Sequence, residues 1–477
     1  MRKWLPLVAV CLGTFVLLVD VTIVNVALPD LAADLGTTFA SLQWVVDGYA
    51  LALAALLLGA GSLADLTGRR RLYVAGLVVF AAASLACGLA PSPDALVGAR
   101  LVQGAGAAAM LATTIALLNI AYRGRDLGTA FGVWGAVSGA AAATGPVVGG
   151  LLTEHLSWRW IFLVNLPVCL AAVVLTLAAV TDGPPRPGRI DVPGIATFTT
   201  AAAAATYGFI RAGEAGWGDA GTLAALGLAA VGLLAFVAVE RRREHPMLDL
   251  ELLRRPSFAG VLAGGALLTF SAFAYLAYTS LWLQTLLGLS PLAAGLVYLP
   301  LSGAAFVVAA ATGRALHGVS PRWTIGGGLV LVAAGAALQA GLDGGSTWRS
   351  LLLGLFVAGV GVGVATPSLA SAAMAAVPPQ LGGMAAGAVN TARQLGFAFG
   401  VALLGSVFAA RAGVPTGDRV PDAAAFAAGL DAVNLTAAAA GLLGAAVVLA
   451  TLRRPPRPAP SRIAASAIDA ETAPVAA

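Results

Sequence analysis

Long apolar runs separated by short polar segments extend over almost the whole chain. One helix that crosses the hydrocarbon core of a bilayer needs about 20 consecutive apolar residues. Fourteen runs reach roughly this length, and they cover approximately residues 5–29, 43–64, 72–90, 95–119, 127–152, 160–180, 191–211, 218–239, 257–284, 291–312, 323–342, 348–376, 383–410 and 424–452. The pattern therefore predicts an all-α integral membrane protein with 14 transmembrane helices.

The amino-acid composition also indicates lipid surroundings. The 477 residues are 59% hydrophobic and 10% charged, with a mean hydropathy of +0.90. So little charge cannot cover the surface of a soluble protein of this length. The net charge of +5 does not indicate nucleic-acid binding, because the basic residues lie in short clusters between apolar runs. Cys11, Cys87 and Cys169 lie inside apolar runs, which predicts neither a disulfide framework nor a metal site.

The distribution of basic residues predicts the orientation. Cytoplasmic loops of membrane proteins carry an excess of Lys and Arg. If the N-terminus is cytoplasmic, most of the 27 Lys and Arg residues fall on the cytoplasmic side, including those at 2–3, 69–71 and 241–243. One span more or fewer would invert every later loop and remove this asymmetry. The sequence thus supports fourteen spans, and it predicts that both termini are cytoplasmic.

A weak internal similarity divides the chain into halves. Gly128 and Gly145 align with Gly383 and Gly400 at one constant offset. Related halves around a central cavity are the architecture of many secondary transporters. We therefore predict an N-terminal six-helix bundle (1–180), an inserted two-helix segment (190–240), a basic cytoplasmic loop (241–256), a C-terminal six-helix bundle (257–452) and a disordered cytoplasmic tail (453–477).

Several local motifs are similar to those of a known family. The loop at 61–71 resembles the signature loop between spans two and three of the major facilitator superfamily, and other segments resemble its fourteen-span drug:proton antiporters. These segments are 20–29, 100–106, 145–150, 158–162 and 390–396. The resemblance extends to about Arg454. It implies two six-helix bundles that rock about a central cavity and exchange small molecules for protons.

Three ionisable residues within the predicted spans are candidates for proton coupling. Asp20 lies in the outer half of span one, about 22 Å from its start at roughly 1.5 Å per residue. Asp47 and Arg100 lie a few residues into spans that enter from outside, so all three can meet at one depth. Burial favours a protonated carboxyl group and a nearby cation favours a charged one, which makes a proton switch. Alternatively, Asp20 only hydrogen-bonds a neighbouring helix and Asp47 is a solvated helix-start residue.

Two motifs are gating candidates through the family resemblance. The first forms a latch at the cytoplasmic end of span two and consists of Gly61, Asp65, Gly68, Arg69 and Arg70. Alternatively, these arginines only orient the protein in the membrane.

The second gating motif consists of Gly145, Pro146 and Gly149 in span five. These residues allow the helix to bend and to pack closely against a neighbour. In the related antiporters the motif is associated with export, and the alternative is close packing alone.

Five polar residues are candidates for lining a substrate cavity: Asn25, Gln103, Asn390, Arg393 and Gln394. The last three share one helix face. For Arg393 the alternatives are the inner gate or a side chain that extends to the interface. The last six spans contain no clearly buried carboxylate, which argues against multiply charged cations as substrates.

The sequence thus predicts a proton-coupled antiporter that exports small lipophilic or cationic compounds, as in drug or antibiotic efflux. The alternatives are an exporter of one metabolite, a proton-coupled importer, and a non-transporting membrane receptor. An enzyme is not expected, since the three His residues are scattered in loops without metal spacing. We expect no cofactor, no metal and no nucleic acid. We also expect a monomer in a bacterial cell membrane whose partners are its substrate, protons and lipid.

Overall fold

A computed structural model describes most of the chain. The described residues are 2–36, 39–182, 191–243, 246–315, 319–343, 345–378, 381–412 and 423–452. The predicted tail (453–477) lies outside them, as do two residues of the predicted basic loop.

The described residues form helices joined by short turns, with no strand among them. Two π-helical segments, Phe270–Ala274 and Trp282–Leu286, lie on either side of α12. The α-helices are α1 (Leu5–Leu35), α2 (Phe39–Thr67), α3 (Arg69–Gly88), α4 (Pro93–Ala121), α5 (Gly124–His155), α6 (Trp160–Leu163), α7 (Asn165–Ala179), α8 (Val192–Ala215), α9 (Ala220–Arg242), α10 (Leu250–Leu253), α11 (Pro256–Thr269), α12 (Leu276–Leu281), α13 (Pro291–Val297), α14 (Leu299–Ala315), α15 (Pro321–Ala337), α16 (Leu352–Ala375), α17 (Gly382–Ala412) and α18 (Ala423–Thr451).

Ten helical segments in the described part of the chain are long and apolar enough to cross a membrane. The predicted ranges around α5, α8, α13–α14 and α15 are helical too, but they are not among these ten segments. The all-helical expectation is confirmed for the described residues. The count of fourteen spans stays a prediction.

The helices pack as two groups with a pair beside them. In the first group, α1 packs on α5 and α7, and α4 packs on α2 and α3. In the second, α11 packs on α17 and α18, and α15 packs on α16 and α18. Contacts between the groups run through α2 with α17, α4 with α17, and α5 with α14 and α16. The pair α8–α9 lies along this seam, because α8 contacts both α2 and α17.

Local chemistry explains where several helices begin. Ser92 accepts a hydrogen bond from the Ala95 amide at the start of α4, at 3.3 Å. The carboxylate of Asp219 accepts one from the Thr222 amide at the start of α9, at 3.0 Å. Such side chains satisfy backbone donors that a helix leaves without partners in its first turn.

A glycine allows α2 and α4 to pack closely together beside Arg100. A Cβ atom added at Gly104 would lie 2.6 Å from the carbonyl oxygen of Tyr49. Small residues allow this approach of two backbones, which is common between membrane helices. The approach places Tyr49 beside Arg100.

Candidate functional site

A buried polar cluster lies where α1, α3, α4 and α7 converge. We call it the Asp20 cluster; its members are all 1% exposed or less, and they are Asp20, Ser84, Arg100, Gln103 and Asn165. Polar groups are costly to bury without partners. The hydrogen bonds within the cluster therefore decide what it can do.

Three side chains donate to the Asp20 carboxylate. Arg100 Nη1 forms a close ion pair with Oδ2. Gln103 Nε2 donates to Oδ1 at 2.9 Å, and Asn165 Nδ2 donates to the same oxygen at 2.8 Å. Both amides also donate to Ser84 Oγ, at 2.8 Å from Gln103 and 3.3 Å from Asn165. The carboxylate is thus held on both oxygens by residues of two other helices.

The Arg100 guanidinium is surrounded by further partners. Its Nε donates to the carbonyl oxygen of Val45 at 2.8 Å, and its Nη1 donates to Gln103 Oε1 at 2.7 Å. The guanidinium carbon lies 4.3 Å from the centre of the Tyr49 ring and 5.7 Å from that of Phe162. Aromatic faces attract cations, most strongly where water is excluded.

The cluster can respond chemically to one proton. Asp20 and Arg100 together carry no net charge, so their burial is tolerable. A proton on Asp20 would remove the negative charge and leave the buried Arg100 uncompensated. An uncompensated buried charge is strongly unfavourable, by about 3–5 kcal/mol in measured cases.

Sequence reasoning identified part of this cluster. Asp20 and Arg100 were expected to meet, and the structure brings them together. Gln103 contacts Asp20, and its predicted place in a substrate cavity stays a prediction. Ser84 and Asn165 were not selected, although each is a polar residue within a predicted apolar span. That signal is weak, because many such residues only bond their own helix backbone, as Thr176 does.

Three candidates have side chains outside the described part of the chain. They are Asn25, Asp47 and Pro146, which belong to α1, α2 and α5. Their roles in coupling, cavity lining and gating therefore remain predictions.

A second buried site connects the two helix groups. The carboxylate of Asp65, on α2, accepts hydrogen bonds from the backbone amides of Gly383 and Met384, both at 2.9 Å. Arg69 donates to Asp65 Oδ1 from Nε at 3.0 Å and from Nη2 at 2.8 Å. We call these four residues the Asp65 latch. The carboxylate caps the first turn of α17, where amide donors and the helix dipole favour negative charge.

Glycines on both sides of the latch allow α2 and α17 to approach each other closely. A Cβ atom added at Gly383 would lie 2.5 Å from the carbonyl oxygen of Gly61, which is closer than side chains approach. Gly68 has a φ of 105°, a conformation that glycine adopts readily. The Arg70 amide donates to Asp182 Oδ1 at 3.1 Å, so Arg70 belongs to a contact within the first helix group.

The Gly145 motif packs α5 against α1 next to the Asp20 cluster. A Cβ atom at Gly149 would lie 2.9 Å from both the carbonyl oxygen and Cγ1 of Ile23. A Cβ atom at Gly145 would collide with Thr22. The motif therefore determines how closely α5 approaches the turn that follows Asp20.

A small cavity lies on the seam between the helix groups, beside Arg393. We call it the Arg393 cavity. Its volume is about 10 Å³, room for roughly one water-sized sphere. Its lining comes from α4, α5, α16 and α17, and consists of Ile115, Trp134, Thr366, Leu369, Ala370, Val389 and Arg393. Of the four predicted cavity residues whose side chains are described, only Arg393 lines it.

Asn390 and Gln394 lie near Arg393 on α17 with different surroundings. Asn390 is buried, and its Nδ2 donates to the carbonyl oxygen of Leu111 on α4 at 3.3 Å. It thus joins the two helix groups. Gln394 is half-buried.

An exposed counterpart of the Asp20 cluster lies at the end of α1. Asp34 accepts hydrogen bonds from Arg159 Nη1 at 2.6 Å and from Trp158 Nε1 at 3.0 Å. These donors lower the pKa of Asp34, because they stabilise its charged form.

In the described residues, no three His, Cys, Asp or Glu side chains are grouped to hold a metal ion.

Comparisons with known proteins point to one family. The family profile described as Major Facilitator Superfamily matches residues 10–401, with a second match over 319–476. The chain is similar to the multidrug resistance protein Stp of Mycobacterium tuberculosis, with 38% identity over 85% of this chain and 76% of that protein. It is also similar to the puromycin resistance protein pur8 of Streptomyces alboniger, with 38% identity over 85% of this chain and 82% of that protein.

Two further comparisons extend this likeness. The tetracenomycin C resistance and export protein of Streptomyces glaucescens is 35% identical over 88% of this chain and 78% of that protein. Among solved structures, the human organic anion transporter MFSD10 (TETRAN) matches with a TM-score of 0.67 and 18% identity. That match covers 94% of this chain and 99% of the other. At this identity the match shows a shared fold and nothing more.

Proposed function

The chain belongs to the major facilitator superfamily, and we propose that it is a proton-coupled antiporter that exports small lipophilic or cationic compounds such as drugs or antibiotics. The printed names of the relatives support export, since they describe multidrug resistance, puromycin resistance, and tetracenomycin C resistance and export. As a transporter it carries small molecules and is not expected to act as an enzyme.

The proposal depends mainly on the buried ion pair of Asp20 and Arg100. Protonation of Asp20 changes the charge of the cluster from zero to positive. The guanidinium must then gain access to water or a new partner, which requires α1 and α4 to move apart. Proton occupancy and helix arrangement are coupled in this way, and Gln103 and Asn165 hold the carboxylate in position.

Alternating access needs a contact that breaks when the cavity opens to one side. The Asp65 latch fits this role, because two amide donors of α17 bind a carboxylate of α2. In our proposal the latch faces the cytoplasm, so this conformation is closed on that side. Opening breaks both hydrogen bonds and separates Gly61 from Gly383.

The remaining features of the proposal come from the sequence. We place both termini in the cytoplasm of a bacterial cell, propose fourteen spans in the fourteen-span branch of the family, and expect a monomer. One proton moving through a potential of about 150 mV supplies roughly 3.5 kcal/mol, enough for about a 300-fold substrate gradient. The proton gradient alone is then sufficient as the energy source.

Everted membrane vesicles with an acidic lumen provide the test. An exported compound enters the lumen in exchange for protons, so lumenal pH should rise after addition of an active compound. The response should disappear in Asp20→Asn and persist in Asp34→Asn, a matched variant of an exposed aspartate on the same helix. If no compound of a test panel raises the lumenal pH although the protein is correctly inserted, proton-coupled export of these compounds is refuted.

A narrower function has specific support. Two relatives carry names that specify one compound each, puromycin and tetracenomycin C. A dedicated exporter would respond to one compound of the panel, whereas a multidrug exporter would respond to several. The same vesicle assay separates the two.

A further inference from the structure

Arg393 is a half-buried cation without a carboxylate partner among the described residues. None of the ion pairs among the described residues includes it, and its Nε has no hydrogen-bond partner there. Its only described polar contact is through the backbone, where its carbonyl oxygen accepts a hydrogen bond from Thr269 at 2.6 Å. The surroundings of Arg393 thus differ from those of Arg100.

The sequence excludes a carboxylate partner from the nearest helices. Helices α11, α16 and α17 contain no Asp or Glu. The acidic residues of α4 and α5 lie near the helix ends, at Asp94, Asp126 and Glu154. Asp20 is already held by Arg100. The charge of Arg393 is therefore not neutralised from within its own site.

Arg393 lies well inside α17, away from both helix ends. It is eleven residues from the start of α17 at Gly382, or about 16 Å at 1.5 Å per residue. An arginine near a helix end can extend its head group to the interface, whereas Arg393 lies within the predicted span of residues 383–410. A cation there is costly and by default marks a functional site.

The surroundings indicate which chemical groups can bind. Trp134 lines the cavity, and its Nε1 donates to Thr14 Oγ1 at 3.1 Å. Ile115 and Val389 add apolar surface. A flat aromatic body would pack on such walls, and the guanidinium would donate two parallel hydrogen bonds to a carboxylate or one to a phenolate.

We propose that the Arg393 cavity is the substrate subsite for an anionic or strongly hydrogen-bond-accepting group on an aromatic compound. This inference rests on the proposed function and narrows it: the expected substrates are aromatic acids and phenolates, and cationic compounds are disfavoured. The small volume belongs to the closed conformation. The cavity widens when the two helix groups separate, because its walls come from both.

Binding to the purified full chain in phosphocholine nanodiscs tests the proposal without a proton gradient. Fluorescein and rhodamine 123 share one aromatic ring system but differ in charge, since the first is an anion at neutral pH and the second a cation. Fluorescence anisotropy, corrected with empty nanodiscs, gives the affinity for each. We expect the wild type to bind fluorescein at least about 10-fold more tightly, because charged hydrogen bonds of this kind contribute such factors.

Variants of the arginine sharpen the test. Arg393→Gln should weaken fluorescein binding by about 10- to 100-fold and leave rhodamine 123 binding unchanged or improved. Arg393→Lys should be intermediate, because lysine keeps the charge but not the planar fork. Arg411→Gln, an exposed arginine at the end of the same helix, should behave as wild type and serves as the matched control.

Equal affinity for both probes, or equal loss of both in Arg393→Gln, would overturn the subsite. The two proposals fail separately. If vesicles exchange protons for rhodamine 123 but the purified protein does not prefer fluorescein, the export proposal stands and the subsite proposal is refuted. Selective fluorescein binding lost in Arg393→Gln would retain the subsite even if no compound discharged the proton gradient.

Discussion

Arg100 and Arg393 are both arginines in the interior of predicted spans, and their surroundings are opposite. Arg100 lies within one helix group and contacts a carboxylate, an amide, a backbone carbonyl and two aromatic rings. Arg393 lies on the seam between groups, beside a cavity, with no ion pair among the described residues. A cation paired with a carboxylate is suited to respond when that carboxylate gains a proton, because arginine keeps its own charge. An uncompensated cation is suited to bind a ligand.

The largest expected effect is a difference in stability between variants of these arginines. Arg100→Gln should destabilise the protein by about 3–5 kcal/mol, because Asp20 stays buried without its countercharge. Arg393→Gln should cost little or stabilise the apo protein, since it removes a half-buried charge that has no countercharge among the described residues. Thermal unfolding in one detergent measures both. Equal destabilisation would contradict the comparison.

The Asp65 latch extends the comparison to a buried carboxylate that links the two groups. Asp65→Asn should weaken the hydrogen bonds from the α17 amides to this side chain, because hydrogen bonds to a charged group contribute about 1.5–3 kcal/mol. The variant should therefore favour the conformation in which the two helix groups are separated at the latch. A cysteine placed at the buried Ala388 should then react faster with maleimide.

Asp182→Asn is the control for the latch. Asp182 binds the Arg70 amide within the first helix group, so this variant should leave the maleimide rate unchanged. Faster labelling in the Asp182 variant alone would argue that the Asp65 contacts do not hold the groups together.

A smaller effect is expected for Asn165, which positions the Asp20 carboxylate. Asn165→Leu removes two hydrogen bonds, to Asp20 and Ser84, and should destabilise the protein by about 1–3 kcal/mol while impairing compound-induced proton release. Asn434→Leu removes a buried hydrogen bond to the Gln339 carbonyl oxygen in the second group. Asn434→Leu should lower stability by a similar amount without changing proton release. If both variants lose proton release equally, Asn165 has only a structural role.

The smallest effect concerns the ion pair that Asp34, on the same helix as Asp20, forms with Arg159 at the start of α6. The pKa of Asp34 is lower in the folded protein than in the unfolded chain. The ion pair therefore stabilises the folded state above the unfolded-state pKa of about 3.9, and this stabilisation is lost as pH falls through the folded-state pKa. Asp34→Asn should therefore reduce thermal stability slightly at pH 7 and not at pH 2. High salt should remove the difference, because exposed pairs are screened.

Much of the architecture could be predicted from the chain alone. Apolar runs indicated helices throughout, and charged residues within those runs indicated Asp20, Arg100 and Arg393 as exceptions that need a reason. The motif at 61–71 indicated a latch, but not that Asp65 would cap α17. That contact joins residues more than 300 positions apart, and no periodicity or spacing along the chain reports it.

The sequence by itself determined that this protein is helical, that its helices are apolar enough for a membrane, and which few charges must lie inside them. Composition and periodicity suffice for this, since lipid leaves few places for a charge. Only the tertiary structure decided which of those charges have partners. Helix packing placed Asn165 and Gln103 against Asp20 and left Arg393 facing a cavity, because contacts between distant helices depend on their relative position and rotation, which a linear pattern does not encode.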